Sequence, residues 1–389
     1  MPLRLILAHF RASKLRTSLT VGSVALALFL FCTLQTVLTS LDALISGVGG
    51  NRLIASSAVS LFQLLPLSTV EKIRAARIDG IGGVGHWTWF DGVFRGDPSE
   101  FFARFAVDAT AFRDQYGDRS ERRAEYRLSA EDWDRFERGK ATCIVGRGLA
   151  ARYGLRVGDP LALEGTIFPG DWRFTIAAIY ASDNPTYDEE TMFFHWSYLN
   201  EGMRRPDVVG ILSIDIRDEA QGPRIATQVD ALFANSGHRT LTQPEAAFQA
   251  QFLSMWGNVG LLFSFIGGAV IFASFMITLN TMLLAVAERV KEIGVLKTLG
   301  FGNVTLRALY LVEATLLCGG GALLGAGLAR LLWHGQPLHL ATVVFPEFVV
   351  TDGTLLTAAG IGLGLALVSG IAPAIVASRT TIVRALRSG

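Results

Sequence analysis

Long stretches without a charged residue constrain this 389-residue chain more than any other feature. Four stretches of 22 to 42 residues contain no Asp, Glu, Lys or Arg, apart from one glutamate in one of them. They lie between Arg16 and Asp42, between Glu245 and Glu288, between Arg307 and Arg330, and between Asp352 and Arg379. A helix of about 20 apolar residues crosses the hydrocarbon core of a bilayer. The sequence therefore predicts an integral membrane protein with four spans and excludes a soluble one.

The order of these stretches predicts the fold class and the domains. We expect an α-helical membrane protein with four transmembrane helices in a 1+3 arrangement and an α+β extracytoplasmic domain inserted between helices 1 and 2. The first span is too long for the apolar region of a cleaved signal peptide, so we expect it to be retained. The 42-residue stretch exceeds one crossing, so we expect the second helix to protrude from the membrane as a stalk. The predicted segments are a cytoplasmic N-terminal segment (1–16), a first transmembrane helix (17–42), the extracytoplasmic domain (43–250), a second transmembrane helix with its stalk (251–287), a cytoplasmic helix and loop (288–303), a third transmembrane helix (304–332), an extracytoplasmic loop (333–353), a fourth transmembrane helix (354–378) and a cytoplasmic tail (379–389).

Basic residues predict the orientation of the spans, because Lys and Arg are retained on the cytoplasmic side of a membrane. Eleven of them lie in the N-terminal segment, around the loop after the second span, and in the tail. The short loop before the fourth span has only Arg330. Both termini are therefore predicted to lie inside, and residues 43–250 outside.

The large polar region reads as a folded domain. Residues 43–250 carry 28 acidic and 23 basic residues, and this net charge of −5 argues against nucleic-acid binding. We expect an α+β domain in two lobes, in which Ser68 opens a capping box with Glu71 and Ser129 caps a helix carrying Trp133. Strands are predicted at Thr142–Val145, Trp172–Tyr180 and Val208–Arg217, a helix at Pro223–Asn235, and an insertion or loop-rich piece at Gly92–Glu125.

No pattern of reactive residues predicts catalysis or a metal site. The three cysteines are widely spaced and predict no disulfide framework. The nearest pair of histidines, His334 and His339, has no cysteine or acidic pair beside it, so no metal ligand set is expected. No Gly-x-Ser-x-Gly nucleophile motif occurs. The aromatic-rich stretch 86–105 is interpreted as core packing, with an exposed patch for a lipid or partner as the alternative.

The segment after the second span predicts a short amphipathic helix. Its apolar residues Ile293, Leu296 and Leu299 recur at helical spacing. Glu288 and Glu292 are one turn apart, so in one helix they would face the same side. By composition alone, this is a solvated interfacial helix of the kind that many membrane proteins carry.

Particular residues of this segment indicate more. The pattern Glu288-Arg289-x-x-Glu292-Ile293-Gly294-x-Leu296-Lys297-x-x-Gly300, which follows a hydrophobic span, resembles the loop of the FtsX/MacB-like ABC transporter permease family. Four other places are similar to the family: the basic entry to span 1 at residues 11–17, Glu313 early in span 3, the turn at residues 148–159, and the ending at residues 373–387. The stretch 84–135 matches nothing that we can name.

The resemblance implies partners. No phosphate-binding loop of the type Gly-x-x-x-x-Gly-Lys-Ser/Thr occurs in the chain, so a separate ABC ATPase subunit is expected to bind ATP and Mg, and no cofactor is expected in this chain. Contact with that ATPase is assigned to Glu288, Arg289, Lys291, Glu292, Ile293, Gly294, Val295, Lys297 and Gly300. A second permease copy is also implied, in a homodimer or a heterodimer with a related permease.

Residues within the spans predict helix contacts. Gly321 with Gly325, and Gly360 with Gly364, form Gly-x-x-x-Gly pairs that let helix backbones approach in lipid. Glu313 is the one charge inside the four charge-poor stretches, and an intramembrane acid is a functional candidate by default. We favour a structural contact of Glu313 with basic residues of the N-terminal segment over a proton relay.

The resemblance implies a permease of the bacterial inner membrane that couples a partner's ATP hydrolysis to movement of its periplasmic domains. The size of the outer region favours export with a periplasmic adaptor, and then lipoprotein or lipid extraction. The family's third use, activation of a cell-wall hydrolase, ranks lower. A non-transport sensor or scaffold and a membrane enzyme with an external active site remain the rivals from other classes.

Overall fold

The computed structural model describes residues 13–46, 50–97, 100–117, 125–182, 187, 189–254, 258–333 and 348–381. The chain divides into two compact units. We name them the helical unit, which comprises Met1–Ser40, Asn258–Gln336 and Glu347–Gly389, and the sheet unit, which comprises Leu41–Gly257 and Pro337–Pro346.

The elements alternate in the middle of the chain and are purely helical towards its end. The helices are α1 (Lys14–Ser46), α2 (Ser68–Ala76), α3 (Ala109–Tyr116), α4 (Ala130–Arg138), α5 (Arg147–Tyr153), α6 (Trp196–Gly202), α7 (Gly222–Phe233), α8 (Glu245–Ser254), α9 (Val259–Glu288), α10 (Val290–Thr298), α11 (Asn303–Leu332) and α12 (Asp352–Arg379). The strands are β1 (Arg52–Ser57), β2 (Leu65–Pro66), β3 (Ile81–Trp89), β4 (Gly92–Phe94), β5 (Arg104–Val107), β6 (Thr142–Gly146), β7 (Pro160–Gly165), β8 (Gly170–Tyr180), β9 (Met192–His195), β10 (Val208–Val209), β11 (Ile211–Ile216) and β12 (Thr240–Pro244).

The predicted fold class is confirmed. The described residues contain four helices that are long and apolar enough to cross a membrane, α1, α9, α11 and α12. The first precedes the sheet unit in the chain and the other three follow it, which is the 1+3 order. At 1.5 Å per residue, the 33 residues of α1 extend about 50 Å, well beyond the ~30 Å of a hydrocarbon core.

The prediction of one continuous helix through the long uncharged stretch is wrong. The described residues form two helices there, α8 and α9, separated by 255–257, which lie outside the described residues. Asn258 caps the second of them, because its Oδ1 accepts a hydrogen bond from the Leu261 N–H at 2.9 Å. An Asn side chain that accepts from a free N–H in this way marks the start of a helix. Hydropathy does not register such a hydrogen bond, so the apolar stretch alone did not reveal this helix start.

The sheet unit is built on one mixed sheet, in the order β12-β1-β11-β3-β5-β9-β6-β8-β7-β4, with β10 and β2 paired separately. The expectation of two lobes stays a prediction, because strand order alone does not say how the sheet bends, and its buried residues form separate hydrophobic clusters. The expectation of an insertion or loop-rich piece at Gly92–Glu125 is corrected, because that segment supplies β5, which pairs with β3 on one side and β9 on the other. The nearby aromatic residues Phe90, Phe94 and Phe102 are buried in the core, as their interpretation as core residues predicted.

Local predictions in the sheet unit had mixed outcomes. The Ser129 cap is confirmed, since its Oγ accepts from the Asp132 N–H at 3.1 Å at the start of α4. The capping box at Ser68 is wrong, because α2 begins after Leu67 and has no side-chain cap. The predicted strand Val208–Arg217 is split at Gly210 into β10, which pairs with β2, and β11, which pairs with β1 and β3.

A buried arginine joins the first strand of the sheet unit to its last helix. Arg52 is 3% exposed, and its Nε lies 2.7 Å from a carboxylate oxygen of Glu245, the first residue of α8. A second nitrogen lies 2.8 Å from Glu125, and the guanidinium lies over the ring of Tyr116 at 4.1 Å. Burial raises the pKa of the Glu125 carboxyl above its ordinary value, while the charge on Arg52 acts against that shift.

Candidate functional site

Helix α10 presents one exposed and one buried face. The exposed residues recur at helical spacing and combine both signs of charge with apolar side chains: Lys291, Glu292, Val295, Thr298 and Leu299. Ile293, by contrast, is 1% exposed and packs with Met282, Leu306 and Tyr310. The helix is therefore seated on the helical unit by its apolar side and offers a surface of mixed chemistry on the other.

The nine residues assigned to an ATPase contact are consequently divided between these faces. Lys291, Glu292 and Val295 are exposed. Ile293 and Gly294 are buried, which corrects the expectation that they form part of an exposed contact surface. Their burial reflects packing between helices that are distant in sequence, and the amphipathic pattern alone does not say what covers the apolar side.

Glu288 and Glu292 do not lie on one helix, which corrects the expectation that they share a face. Glu288 ends α9, and Arg289 forms both the C-cap of that helix and the N-cap of α10. Its backbone, at φ −100° and ψ 18°, departs from helical geometry and separates the two helices. Glu288 instead forms an ion pair with Arg16 of α1.

Arg289 and Glu313 form a buried ion pair. One guanidinium nitrogen of Arg289 donates to both carboxylate oxygens of Glu313, at 3.0 and 3.3 Å. The two residues are 8% and 3% exposed. Charges in such surroundings are costly unless they are paired, and here each is the other's counter-ion. Arg289 therefore faces the interior of the helical unit, and its assignment to a partner surface is wrong.

Glu313 had been expected to meet basic residues of the N-terminal segment. The structure identifies Arg289 as a partner, while residues 1–12 lie outside the described residues. A cavity of about 10 Å³ lies beside Glu313 and is also lined by Arg16 and Thr20 of α1. That volume is about the size of one water molecule. Glu313 thus lies where α1, α9 and α11 meet.

The far end of α10 is tied to the last span. The Lys297 ammonium donates to the carbonyl oxygens of Ser378 and Thr380, both at 2.7 Å, at the end of α12. Arg307 of α11 donates from Nε to the Ser378 hydroxyl at 3.0 Å. Since cations are favourable at a helix C-terminus, these contacts suit the end of α12 electrostatically. Helix α10 and the residues that flank it therefore contact all four spans.

Gly300 ends α10 with a left-handed backbone. Its φ is +87°, which an L side chain rarely adopts. Its N–H bonds the Lys297 carbonyl at 3.1 Å, and the Phe301 N–H bonds the Leu296 carbonyl at 3.1 Å. This pair of bonds is the Schellman motif. The glycine therefore sets where the helix stops, as its position in the sequence pattern indicates.

Among the described residues, one of the two Gly-x-x-x-Gly pairs lies at a close contact between helices. A Cβ on Gly321 would lie 2.7 Å from the Cβ of Val24, and a Cβ on Gly325 would lie 2.2 Å from the carbonyl oxygen of Ala25, so α11 approaches α1 closely. At Gly360 and Gly364 an added Cβ would meet no described atom within 4 Å. In α12 the close contacts come from other glycines, Gly362 against Ala322 and Gly370 against Ala314.

The structure brings together residues that the sequence pattern did not connect. A lone acid within a span needs a counter-ion, and Arg289 was one of the basic residues near a span end. Nothing in the sequence selects it over Arg307, because the choice depends on how α9 and α11 pack. Among the described residues no group of three or more His, Cys, Asp or Glu side chains is placed to hold a metal ion, and His334 and His339 lie outside them.

Comparison with known proteins identifies the type of domain. Residues 249–382 match the sequence model of the FtsX-like permease C-terminal family. An uncharacterized ABC transporter permease of Bacillus subtilis, YvrN, is 34% identical over 114 residues, which are 28% of this chain and 26% of the relative. The macrolide export ATP-binding/permease protein MacB of Neisseria gonorrhoeae is 24% identical over 240 residues, which are 59% of this chain and 35% of the relative. The chain thus spans about a quarter to a third of these relatives.

A solved structure is also similar to part of the chain. The periplasmic region of MacB from Actinobacillus actinomycetemcomitans aligns with 54% of this chain and 95% of its own, at 11% identity and a TM-score of 0.36. The resemblance to FtsX/MacB-like permeases is confirmed by the match over residues 249–382, which contain the segment 288–300 and Glu313 but not the places at residues 11–17 and 148–159.

Proposed function

Since residues 249–382 are an FtsX-like permease domain of a multi-pass membrane protein, we propose that the chain is the permease subunit of an ABC transporter whose ATPase is a separate protein. The observation that carries the proposal is the arrangement of α10. Its exposed face offers charge of both signs beside apolar side chains, and its ends are tied to the spans by ion pairs and hydrogen bonds. A partner that moves this helix moves the bundle.

The ATPase is assigned to another chain because these 389 residues contain no phosphate-binding loop. ATP and Mg would be held by that partner. The proposed contact on this chain comprises Lys291, Glu292, Val295 and Leu299, of which the last two are 53% and 70% exposed. Mixed charges around exposed apolar side chains are typical of an interface with a polar rim and an apolar centre.

The distribution of basic residues supports an orientation in which α10 and both termini are cytoplasmic and the sheet unit is outside, in the bacterial inner membrane. A second permease copy would complete the transporter. The exposed apolar residues of α9, such as Phe265 at 70% and Phe272 at 62%, would face that copy or lipid.

For the transported substrate we place export first, with a periplasmic adaptor as the outer partner. The support is the size of the sheet unit and the name of the relative from Neisseria gonorrhoeae, which is a macrolide exporter. Extraction of lipoproteins or lipids from the membrane is the second candidate. The spans carry few polar groups, so a hydrophilic path through them has little support and the substrate would be taken up outside or from the lipid.

The test is charge reversal on the exposed face of α10. The double variant Lys291→Glu with Glu292→Lys should insert normally but no longer copurify with the ATPase. If it still copurifies, the ATP turnover of the complex should be at least 10-fold lower than that of the wild type. Ion pairs are worth well below 1 kcal/mol when exposed but about 1–3 kcal/mol when an interface desolvates them, and 1.4 kcal/mol is a factor of ten.

A matched control reverses an adjacent exposed pair of the same chemistry in the sheet unit, Glu71→Lys with Lys72→Glu in α2. This variant should keep wild-type assembly and turnover. If the α10 variant also assembles and turns over ATP at the wild-type level, α10 is only an interfacial helix and the proposal is wrong. Robust ATP hydrolysis by the isolated permease would contradict the separate ATPase.

A further inference from the structure

The buried ion pair Arg289–Glu313 lies where three helices meet. Arg289 is the single residue between the end of α9 and the start of α10. Its N–H still bonds the Ala285 carbonyl of α9 at 3.2 Å, while its carbonyl accepts from the Ile293 N–H of α10 at 3.0 Å. Its side chain reaches a third helix, α11, at Glu313. One residue therefore holds three helices in a defined geometry.

We propose that Arg289 and Glu313 are positioning residues that transmit the displacement of α10 to α11, so that the ion pair serves coupling rather than stability. This inference rests on the proposed function. Replacement of a buried ion pair by apolar residues of similar volume is often neutral or stabilising, so stability is a poor explanation for such a pair. One guanidinium nitrogen of Arg289 donates to both carboxylate oxygens of Glu313, so the contact is directional, and a directional contact resists sliding more than apolar packing does.

The surroundings of the pair favour a role in transmitting displacement between helices over that of a general polar cluster. Glu313 lies ten residues into α11, about 15 Å from its start at 1.5 Å per residue, so a push at this point acts on the body of the helix. The cavity beside Glu313 is lined by Arg16 and Thr20, which extends these surroundings to α1. A space of about 10 Å³ accommodates one water molecule. Small shifts of these helices can therefore occur there without steric overlap of protein atoms.

Another ion pair on the same helix provides the matched control. Arg330, near the other end of α11, contacts Asp352 at 2.6 Å, but the two side chains are 47% and 84% exposed. This pair has the same chemistry and also joins two spans, α11 and α12. It has no contact with α10 among the bonds of the described residues, so its removal should not affect coupling.

The test separates coupling from folding by removing both partners together. A single substitution would remove the described counter-ion of a buried charge and could prevent folding, so the apolar variant is Arg289→Met with Glu313→Leu. A second variant exchanges the charges, Arg289→Glu with Glu313→Arg. The control variant is Arg330→Met with Asp352→Leu. Each is purified with the ATPase subunit that copurifies with the wild-type chain.

The readout is an ATP-driven change in the sheet unit. An environment-sensitive fluorophore is attached to Asn235→Cys, an exposed position, while the native Cys32, Cys143 and Cys318 are buried. The apolar variant should assemble, keep its thermal unfolding temperature and hydrolyse ATP, but its ATP-driven fluorescence change should fall at least fivefold. The exchanged variant should regain at least half of the wild-type change, and the control variant should match the wild type.

Wild-type fluorescence changes in the apolar variant would overturn the inference. An exchanged variant as impaired as the apolar one would also overturn it, because packing rather than the ion pair would then carry the effect. If the wild-type complex itself gives no ATP-driven change, the proposed function fails and the inference fails with it. If the wild-type complex responds to ATP and the apolar variant responds equally, the inference is wrong and the proposed function is unaffected.

Discussion

At the scale of single residues, His86 in β3 is a buried base with few polar contacts to compensate for its burial. It is 6% exposed, and neither ring nitrogen has a hydrogen-bond partner among the residues that the structure describes. Its ring packs edge-on against Trp196, and Nδ1 lies 3.8 Å from a carboxylate oxygen of Asp108. Burial lowers the pKa of His86 to about 4, although Asp108 acts in the opposite direction.

This lowered pKa predicts acid sensitivity of the sheet unit. The unfolded chain binds a proton at the ordinary pKa of 6.5 and the folded chain only at about 4, so the unfolded state holds more protons between these values. The full contribution of neutral His86 to stability is therefore present above pH 6.5 and is lost as the pH falls towards 4. At 1.36 kcal/mol per pKa unit the loss amounts to about 3 kcal/mol at most.

The measurement is the thermal unfolding temperature of the detergent-solubilised chain from pH 7.5 to 4, followed by tryptophan fluorescence. His86→Phe keeps a ring against Trp196 but cannot be protonated, so its unfolding temperature should fall less on acidification than that of the wild type. His238→Phe, at an exposed site, should keep the wild-type pH dependence. Equal acid sensitivity in all three chains would contradict the role of His86.

At the scale of elements, the contact between α1 and α11 depends on backbone proximity. A Cβ on Gly325 would lie 2.2 Å from the Ala25 carbonyl oxygen and 3.0 Å from the Phe29 nitrogen, and backbone atoms cannot move aside cheaply. Gly325→Ala should therefore separate the two helices and destabilise the helical unit by about 1–3 kcal/mol, the usual cost of overpacking. The loss is measured as a lower temperature of heat-induced aggregation in detergent.

The control for this prediction lies in α12. Gly364→Ala makes the same chemical change where the new Cβ would meet no described atom within 4 Å, so aggregation should occur at the wild-type temperature. If Gly325→Ala is as stable as the wild type, α11 does not approach α1 as closely as described. If both variants lose stability equally, the effect comes from glycine in a span and not from the contact.

At the scale of the whole molecule, the predicted orientation places α10 and the exposed loop after α7 on opposite sides of the membrane. Asn235→Cys should react with a membrane-impermeant thiol reagent in intact spheroplasts, because its position is exposed in the sheet unit. Thr298→Cys in α10 should react only after permeabilisation.

The three native cysteines are buried and should give little background in this experiment. Reaction of Thr298→Cys in intact cells, with protection of Asn235→Cys, would reverse the orientation. Equal reaction of both before permeabilisation would indicate leaky cells, which a labelled cytoplasmic marker detects. The outcome bears on the assignment of α10 to the ATPase, because that partner is expected in the cytoplasm.

Much of the fold was predictable, because the features concerned depend on residues close together in the chain. Apolar length alone predicts the four spans. The side chain of Ser129 and the backbone freedom of Gly300 act within one helical turn, so the start of α4 and the end of α10 follow from local sequence. The resemblance carried by residues 288–300 likewise depends only on residues that are close together in the chain.

The remaining features were decided by the tertiary structure, because they depend on which faces of distant elements meet. Arg289 rather than Arg307 is paired with Glu313, since the packing of α9 against α11 brings its guanidinium to the carboxylate. Gly325 closely approaches a neighbouring helix, whereas a Cβ on Gly364 would meet no atom of the described residues within 4 Å, although both glycines stand in the same pattern. Ile293 was covered by the chain's own helices, which an amphipathic sequence cannot foretell, because periodicity identifies an apolar face but not the surface that buries it.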